Sequence, residues 1–250
     1  MKHRGYFPVV LFFVLAVAIS GPFFYWRTIL DWKGFQGPPI LKTLSYMWGP
    51  GIAGIICHLL YRKHYTKEIT ITGRSPLQSL LIWVGPLLLL TALGIPGKNG
   101  TTDHTTPLLL IGMGFLTIWG EEFGWRWFLQ DYLSPLKPWK KYLLIGVLWE
   151  LWHLRFLSKL GQPLPAIILS SLLVLVVTVL IAFLIGFITD RTRSLAFAAA
   201  LHAWIDLCFE WSNLNTYICA IATLALAIFF ALRAGRREAA LIPAPLSNLK

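Results

Sequence analysis

Charged residues are scarce in this chain: Asp, Glu, Lys and Arg make up 13% of its 250 residues, while 56% are hydrophobic and 14% aromatic. Soluble globular domains carry about 25% charged residues, so a mean hydropathy of +0.65 excludes that class and points to a polytopic membrane protein. Cysteine is also rare. Cys57, Cys208 and Cys219 sit inside apolar segments without metal-ligand spacing, which reads them as small hydrophobes rather than ligands. No HExxH helix occurs, no repeat period or low-complexity tract is visible, and the two halves show no inverted similarity.

About 20 apolar residues cross a bilayer core, and eight segments satisfy that need, near 7–26, 44–61, 77–96, 107–131, 141–157, 164–188, 194–210 and 215–232. The fold expected is therefore all-α, a polytopic membrane bundle of about eight transmembrane helices. The second segment is the weakest, being short and broken by Gly49-Pro50-Gly51. Residues 1–233 read as one membrane-embedded domain, and 234–250 as a flexible cytoplasmic tail with Pro243 and Pro245. The basic start at Lys2, His3 and Arg4, with Ala18-Ile19-Ser20 behind an apolar run, also fits a signal peptide. Continuation through Pro22 to Trp26 favours an uncleaved span.

The net charge of +11 does not call for a nucleic-acid partner. With eight spans, fifteen Lys and Arg fall on the side of the termini and six on the other, leaving Arg126 inside. That asymmetry places both termini in the cytoplasm and accounts for most of the charge. The expected location is the inner or plasma membrane, or the endoplasmic reticulum in a eukaryote.

Against this background the charges within spans stand out. Residues 106–120 hold no ionisable group, then Glu121, Glu122 and Arg126 follow at once. An ionised group at the centre of a membrane helix costs roughly 2.5–3.5 kcal/mol, about 8–10 kcal/mol for three unpaired ones. Glu122 and Arg126 are four residues apart and can pair on one helix face, which leaves Glu121 the less compensated carboxylate. The fifth segment adds Trp149, Glu150 and His153, and the seventh adds His202 and Asp206, again at i, i+4 spacing. Three helices thus each carry a polar face, and burying these faces on one another is cheaper than exposing them to lipid.

Burial among apolar groups penalises the charged form of a carboxylate and brings it within reach of general-base work near neutral pH. Glu121 suits that role, and His153 suits the sharing or relaying of a water proton. His202, with Asp206, suits an oxyanion pocket, where one donor in a dry cavity is worth about 2.7–4 kcal/mol.

These residues resemble a known family. EEFGWR (Glu121 to Arg126), WELWH (Trp149 to His153) and HAWID (His202 to Asp206) resemble the EExxxR, FxxxH and HxxxN/D motifs of the CPBP membrane proteases, the CAAX protease and bacteriocin-processing family. The three occur in family order over residues 107–210. The resemblance implies an intramembrane glutamic endopeptidase acting on a peptide or protein at the membrane, without a metal or other cofactor. It implies Glu121 and His153 as activators of the hydrolytic water, His202 with Asp206 as the oxyanion site, and Glu122, Arg126 and Trp149 as supports. Trp149 stands where the motif has Phe. Asp206 stands where the prenyl proteases have Asn, and since an ionised Asp cannot donate to an oxyanion, it is read as orienting His202 as an imidazolium.

Plainer readings exist for each element. EExxxR also describes a salt-bridged helix end flanked by an aromatic belt of Trp119, Trp125 and Trp127. His153 and His202 also suit core histidines with a backbone partner, Glu150 a structural carboxylate able to orient His153, and His58 and His64 interface or loop residues. Two Glu, two His and one Asp also suffice in principle for zinc. Two other functions compete: a non-proteolytic scaffold or immunity protein of the same fold, and a transporter whose charges line an ion path.

Overall fold

A computed structural model describes residues 5–24, 39–97, 100–153, 161 and 163–241. The helical rods are α1 (Phe7–Phe24), α2 (Pro39–Tyr61), α3 (Pro76–Leu93), α4 (Thr106–Glu122, continuing as a π-helix over Phe123–Gln130), α5 (Pro138–His153), α6 (Leu164–Thr192), α7 (Leu195–Glu210) and α8 (Leu214–Leu241). Each coincides with one of the eight expected segments. Three of them, Pro76–Leu93, Leu164–Thr192 and Leu214–Arg236, are by length and composition able to cross a membrane. Much of α6 turns Leu and Ile outward, Leu169, Leu173 and Leu180 among them, as a helix facing lipid would. The expected belt residues Tyr25 and Trp26, residues 154–157 of the fifth segment, and 242–250 of the tail lie outside the described residues.

Three expectations about helix extent need correction. The third helix stops at Leu93: Gly94 takes φ 74°, and Pro96 cannot supply a helical N–H. Ile95–Pro96 (β1) instead pairs antiparallel with Thr102–Asp103 (β2), in the register Ile95↔Asp103 and Pro96↔Thr102. The second correction is α2, which runs unbroken for 23 residues through Pro50. Its Gly49-Pro50-Gly51 is a packing surface. A Cβ on Gly51 would lie 2.5 Å from Gly120 O, and one on Gly124 would lie 2.4 Å from Pro50 O. Gly120 and Gly124 form a small-xxx-small pair on α4, so two backbones meet where the sequence alone suggested a break. The last helix also extends past 234, reaching Leu241.

Packing follows from these small residues and from a large aromatic core. α1 lies on α2, α2 on α4, α5 on α6, and α7 contacts α3, α4, α6 and α8. Phe12 meets Trp125 edge-on at 5.1 Å, and Trp152 stacks on Tyr46 at 4.5 Å. On α7 the buried run Ala198, Ala199 and Ala200 lets four neighbours approach closely.

The end of the bundle carrying the basic loops is closed by buried polar groups. Lys67 Nζ donates to Asp131 Oδ2 and to Trp127 O, both at 2.6 Å, and Asp131 Oδ2 also accepts from the backbone N–H groups of Glu68 and Ile69. Asp190 accepts from Gln130 Nε2 at 2.7 Å and from Lys141 Nζ and Tyr142 OH at 2.5 Å. The carbonyls of Thr70 and Ile71 take the N–H groups of Leu195 and Ala196, so the loop before α3 caps the start of α7.

Candidate active site

Adjacent residues on a helix point about 100° apart, so Glu121 and Glu122 address different neighbours. Both are buried, and they sit where α4 passes from α- to π-helix. π-Helical insertions are rare and frequent at functional sites. Glu122 Oε2 accepts from Arg126 Nε at 3.0 Å, and its Oε1 accepts from His202 Nδ1 at 2.8 Å. The i, i+4 pair expected within α4 is formed, and the carboxylate also ties α4 to α7. Arg126 is fully buried, and its Cζ lies 5.2 Å from the centroid of the Trp149 ring. Its two terminal nitrogens make no hydrogen bond among the described residues.

Glu121 turns the other way. Its Oε2 accepts from Trp149 Nε1 at 2.9 Å, while Oε1, buried, makes no hydrogen bond among the described residues. Trp149 therefore does more than wall the site. Its ring stands edge-on to His202 at 5.0 Å and lies 5.9 Å from His153. A phenylalanine, the residue usual in the motif, would keep these ring contacts and lose the donor to Glu121.

The two imidazoles are oriented by their Nδ1 atoms. His153 Nδ1 donates to Trp149 O at 2.9 Å, so in the neutral ring Nε2 is the basic nitrogen. His202 Nδ1 donates to Glu122, and its Nε2 lies 3.6 Å from Asp206 Oδ2, within ion-pair range but beyond a hydrogen bond. His202 is thus held between two carboxylates.

Glu121, Trp149, His153, His202 and Asp206 all line one cavity of about 690 Å³. Glu122 and Arg126 stand behind it. Its remaining wall comes from α6, through Leu173, Val177, Thr178 and Ile181, from Ile205, Phe209 and Glu210 of α7, and from Tyr46 and Met47 of α2. The α2 pair escaped the sequence reading because α2 carries no charge within its apolar run. Glu150 lies one turn from His153 yet reaches across to α6, where it accepts from Thr178 Oγ1 at 2.9 Å. His58 bonds Tyr65 OH at 2.7 Å and packs on Trp127.

A buried carboxylate, two imidazoles and a largely apolar wall can bind a water, take a proton from it and offer a donor to a nascent anion. Residues 103–208 match the family described as Type II CAAX prenyl endopeptidase Rce1-like, in agreement with the resemblance drawn from the three motifs. The matched segment contains all seven site residues. No match is found among curated proteins. The apolar helices and the family match together indicate an integral membrane protein whose segment 103–208 is similar to a protease family.

Proposed function

We propose that the protein is an intramembrane endopeptidase in which Glu121 is the general base for a hydrolytic water. The observation that carries this reading is the Glu121 carboxylate, with one oxygen held by Trp149 and the other unpartnered among the described residues, in a cavity shared with His153 and His202. Water oxygen attacks the scissile carbonyl carbon, and its proton passes to Glu121 Oε1, with His153 Nε2 sharing the transfer. The carbonyl oxygen becomes an oxyanion. A doubly protonated His202 donates from Nδ1 to Glu122 and directs Nε2–H toward Asp206 and the cavity, where it stabilises that charge. The C–N bond then breaks, and the proton held by Glu121 goes to the leaving amine.

Glu122 and Arg126 are positioning residues in this scheme, since they act through His202 and the helix. Asp206, at 3.6 Å from His202 Nε2, orients the ring rather than meeting the oxyanion. The reaction needs no metal, and cleavage persisting in chelators is expected; loss restored specifically by zinc would overturn that point. The decisive experiment compares protein termini in cells carrying the wild type or Glu121→Ala. A terminus lost in the variant identifies a substrate. Identical termini with an unchanged phenotype would replace the endopeptidase by a binding role for the same fold.

A further inference from the structure

The position of the cavity along the bundle bears on where a substrate comes from. Four elements that line it have one end at the basic loops: α2 ends there at Tyr61, α5 begins at Pro138, α6 ends at Thr192 and α7 begins at Leu195. At 1.5 Å per residue, His202 lies about 10 Å from that end along α7 and Trp149 about 16 Å along α5. Ile205, Asp206 and Ile181 lie at about the height of Trp149, and the remaining lining residues of these four elements are farther. His153 and Glu210 lie about 22 Å from it, Met47 about 21 Å and Leu173 about 28 Å. The polar floor is therefore near mid-bundle, and the lining continues from it toward the end away from the basic loops, where Phe209 is 76% exposed.

Below the floor the molecule is shut. The Lys67–Asp131 pair, the Asp190 cluster with Gln130, Lys141 and Tyr142, and the backbone cap on α7 join the ends of α4, α5, α6 and α7. Trp125, Arg126 and Phe128, all fully buried, fill the layer between this seal and the carboxylates. The fifteen basic residues on the sealed side mark it as cytoplasmic, because Lys and Arg are retained there.

We propose that the cavity is entered from the non-cytoplasmic side, and that its substrate is a translocated or exported segment rather than a cytoplasmic C-terminus. The substrate statement rests on the endopeptidase reading above; the direction of access does not. Thiol labelling tests access without any substrate. In the full chain with Cys57, Cys208 and Cys219 replaced by Ala, Phe209→Cys is expected to react with a membrane-impermeant maleimide in intact cells. Lys140→Cys, exposed at the basic end, is expected to react only after permeabilisation. The reverse pattern, or equal labelling of both in intact cells, overturns the proposal. Should the cysteine-free chain fail to fold, a fluorescent protein that matures only in the cytoplasm, fused after Lys250 of the wild type, gives the same decision: a dark fusion overturns it. A catalytically dead protein would leave both readouts unmoved, so the two readings fail separately. With both correct, the termini lost on Glu121→Ala belong to exported or lumenal segments; cytoplasmic ones would overturn the substrate statement.

Discussion

Trp149 donates its indole N–H to Glu121 Oε2 at 2.9 Å, which ties the carboxylate of α4 to the helix that carries His153. The same ring packs on His202 and Arg126, so hydrogen bond and wall are separable by substitution. Trp149→Phe keeps the wall and removes one hydrogen bond, a change of about 1–1.5 kcal/mol, and turnover is expected to fall by about tenfold or less. Trp149→Ala removes the wall as well, at about 3–5 kcal/mol of packing, and is expected to abolish cleavage and lower thermal stability. Rates of the two variants on a cleavable reporter decide this. A Phe variant as inactive as the Ala variant would assign the whole effect to the N–H.

The two neighbouring glutamates should respond differently to the same substitution. Glu121→Gln removes a base and an uncompensated buried charge, so turnover drops by about 10²–10⁴ while the melting temperature holds or rises. Glu122→Gln leaves the fully buried Arg126 without its anion and loosens His202. Breaking such a pair costs about 3–5 kcal/mol, so this variant is expected to lose stability first. Thermal unfolding in detergent, read beside activity, separates them. Equal destabilisation by both would mean that Glu121 is also structural.

Much of this arrangement was legible because it is local. Glu122 with Arg126, Trp149 with His153 and His202 with Asp206 each share one helix, and i, i+4 spacing announces them. Contacts between helices were not. The Glu122–His202 bond, the Trp149–Glu121 bond and the α2 wall at Tyr46 and Met47 depend on which helices are neighbours, which periodicity does not encode. The same holds for Asp131 and Asp190, the anions of the sealed end, whose partners Lys67 and Lys141 come from distant parts of the chain. The Gly-Pro-Gly of α2 misled for a physical reason. Small residues break helices in water, whereas in a membrane bundle they are where helices touch.

Asp103 links the β-ribbon to the start of α4 and supplies a pH-dependent term. Its Oδ2 accepts from Thr106 Oγ1, and its Oδ1 accepts from the N–H groups of Thr106 and Thr105. These bonds, the Thr106 hydroxyl first, hold the carboxyl below its ordinary value of 3.8. A folded value depressed in this way means that the stabilisation is fully present above the unfolded value and is lost as pH falls through the folded one. Wild type is therefore expected to melt above Asp103→Ala near neutral pH, and the gap is expected to close below pH 3.8. A gap that stays constant down through that range would show that the carboxylate charge is not what caps α4.

Gly124 tests whether the site depends on the contact between α2 and α4. A Cβ there would meet Pro50 O at 2.4 Å and Pro50 C at 2.5 Å, and these are backbone atoms that no side-chain rotation can clear. Gly124→Ala must therefore push the two helices apart, with an overpacking cost of about 1–3 kcal/mol. Gly124 lies two residues from Glu122 and inside the π-helix, so the displacement falls on the carboxylates themselves. Misplacing a catalytic group by about 1 Å can cost about 10²-fold in rate, so activity should fall further than stability. Gly85→Ala is the control: nothing lies within 4 Å of its Cβ, and a change within about 0.5 kcal/mol is expected. If Gly124→Ala lowers the melting temperature yet leaves turnover at the wild-type level, the glycine contact supports the bundle without setting the geometry of Glu121.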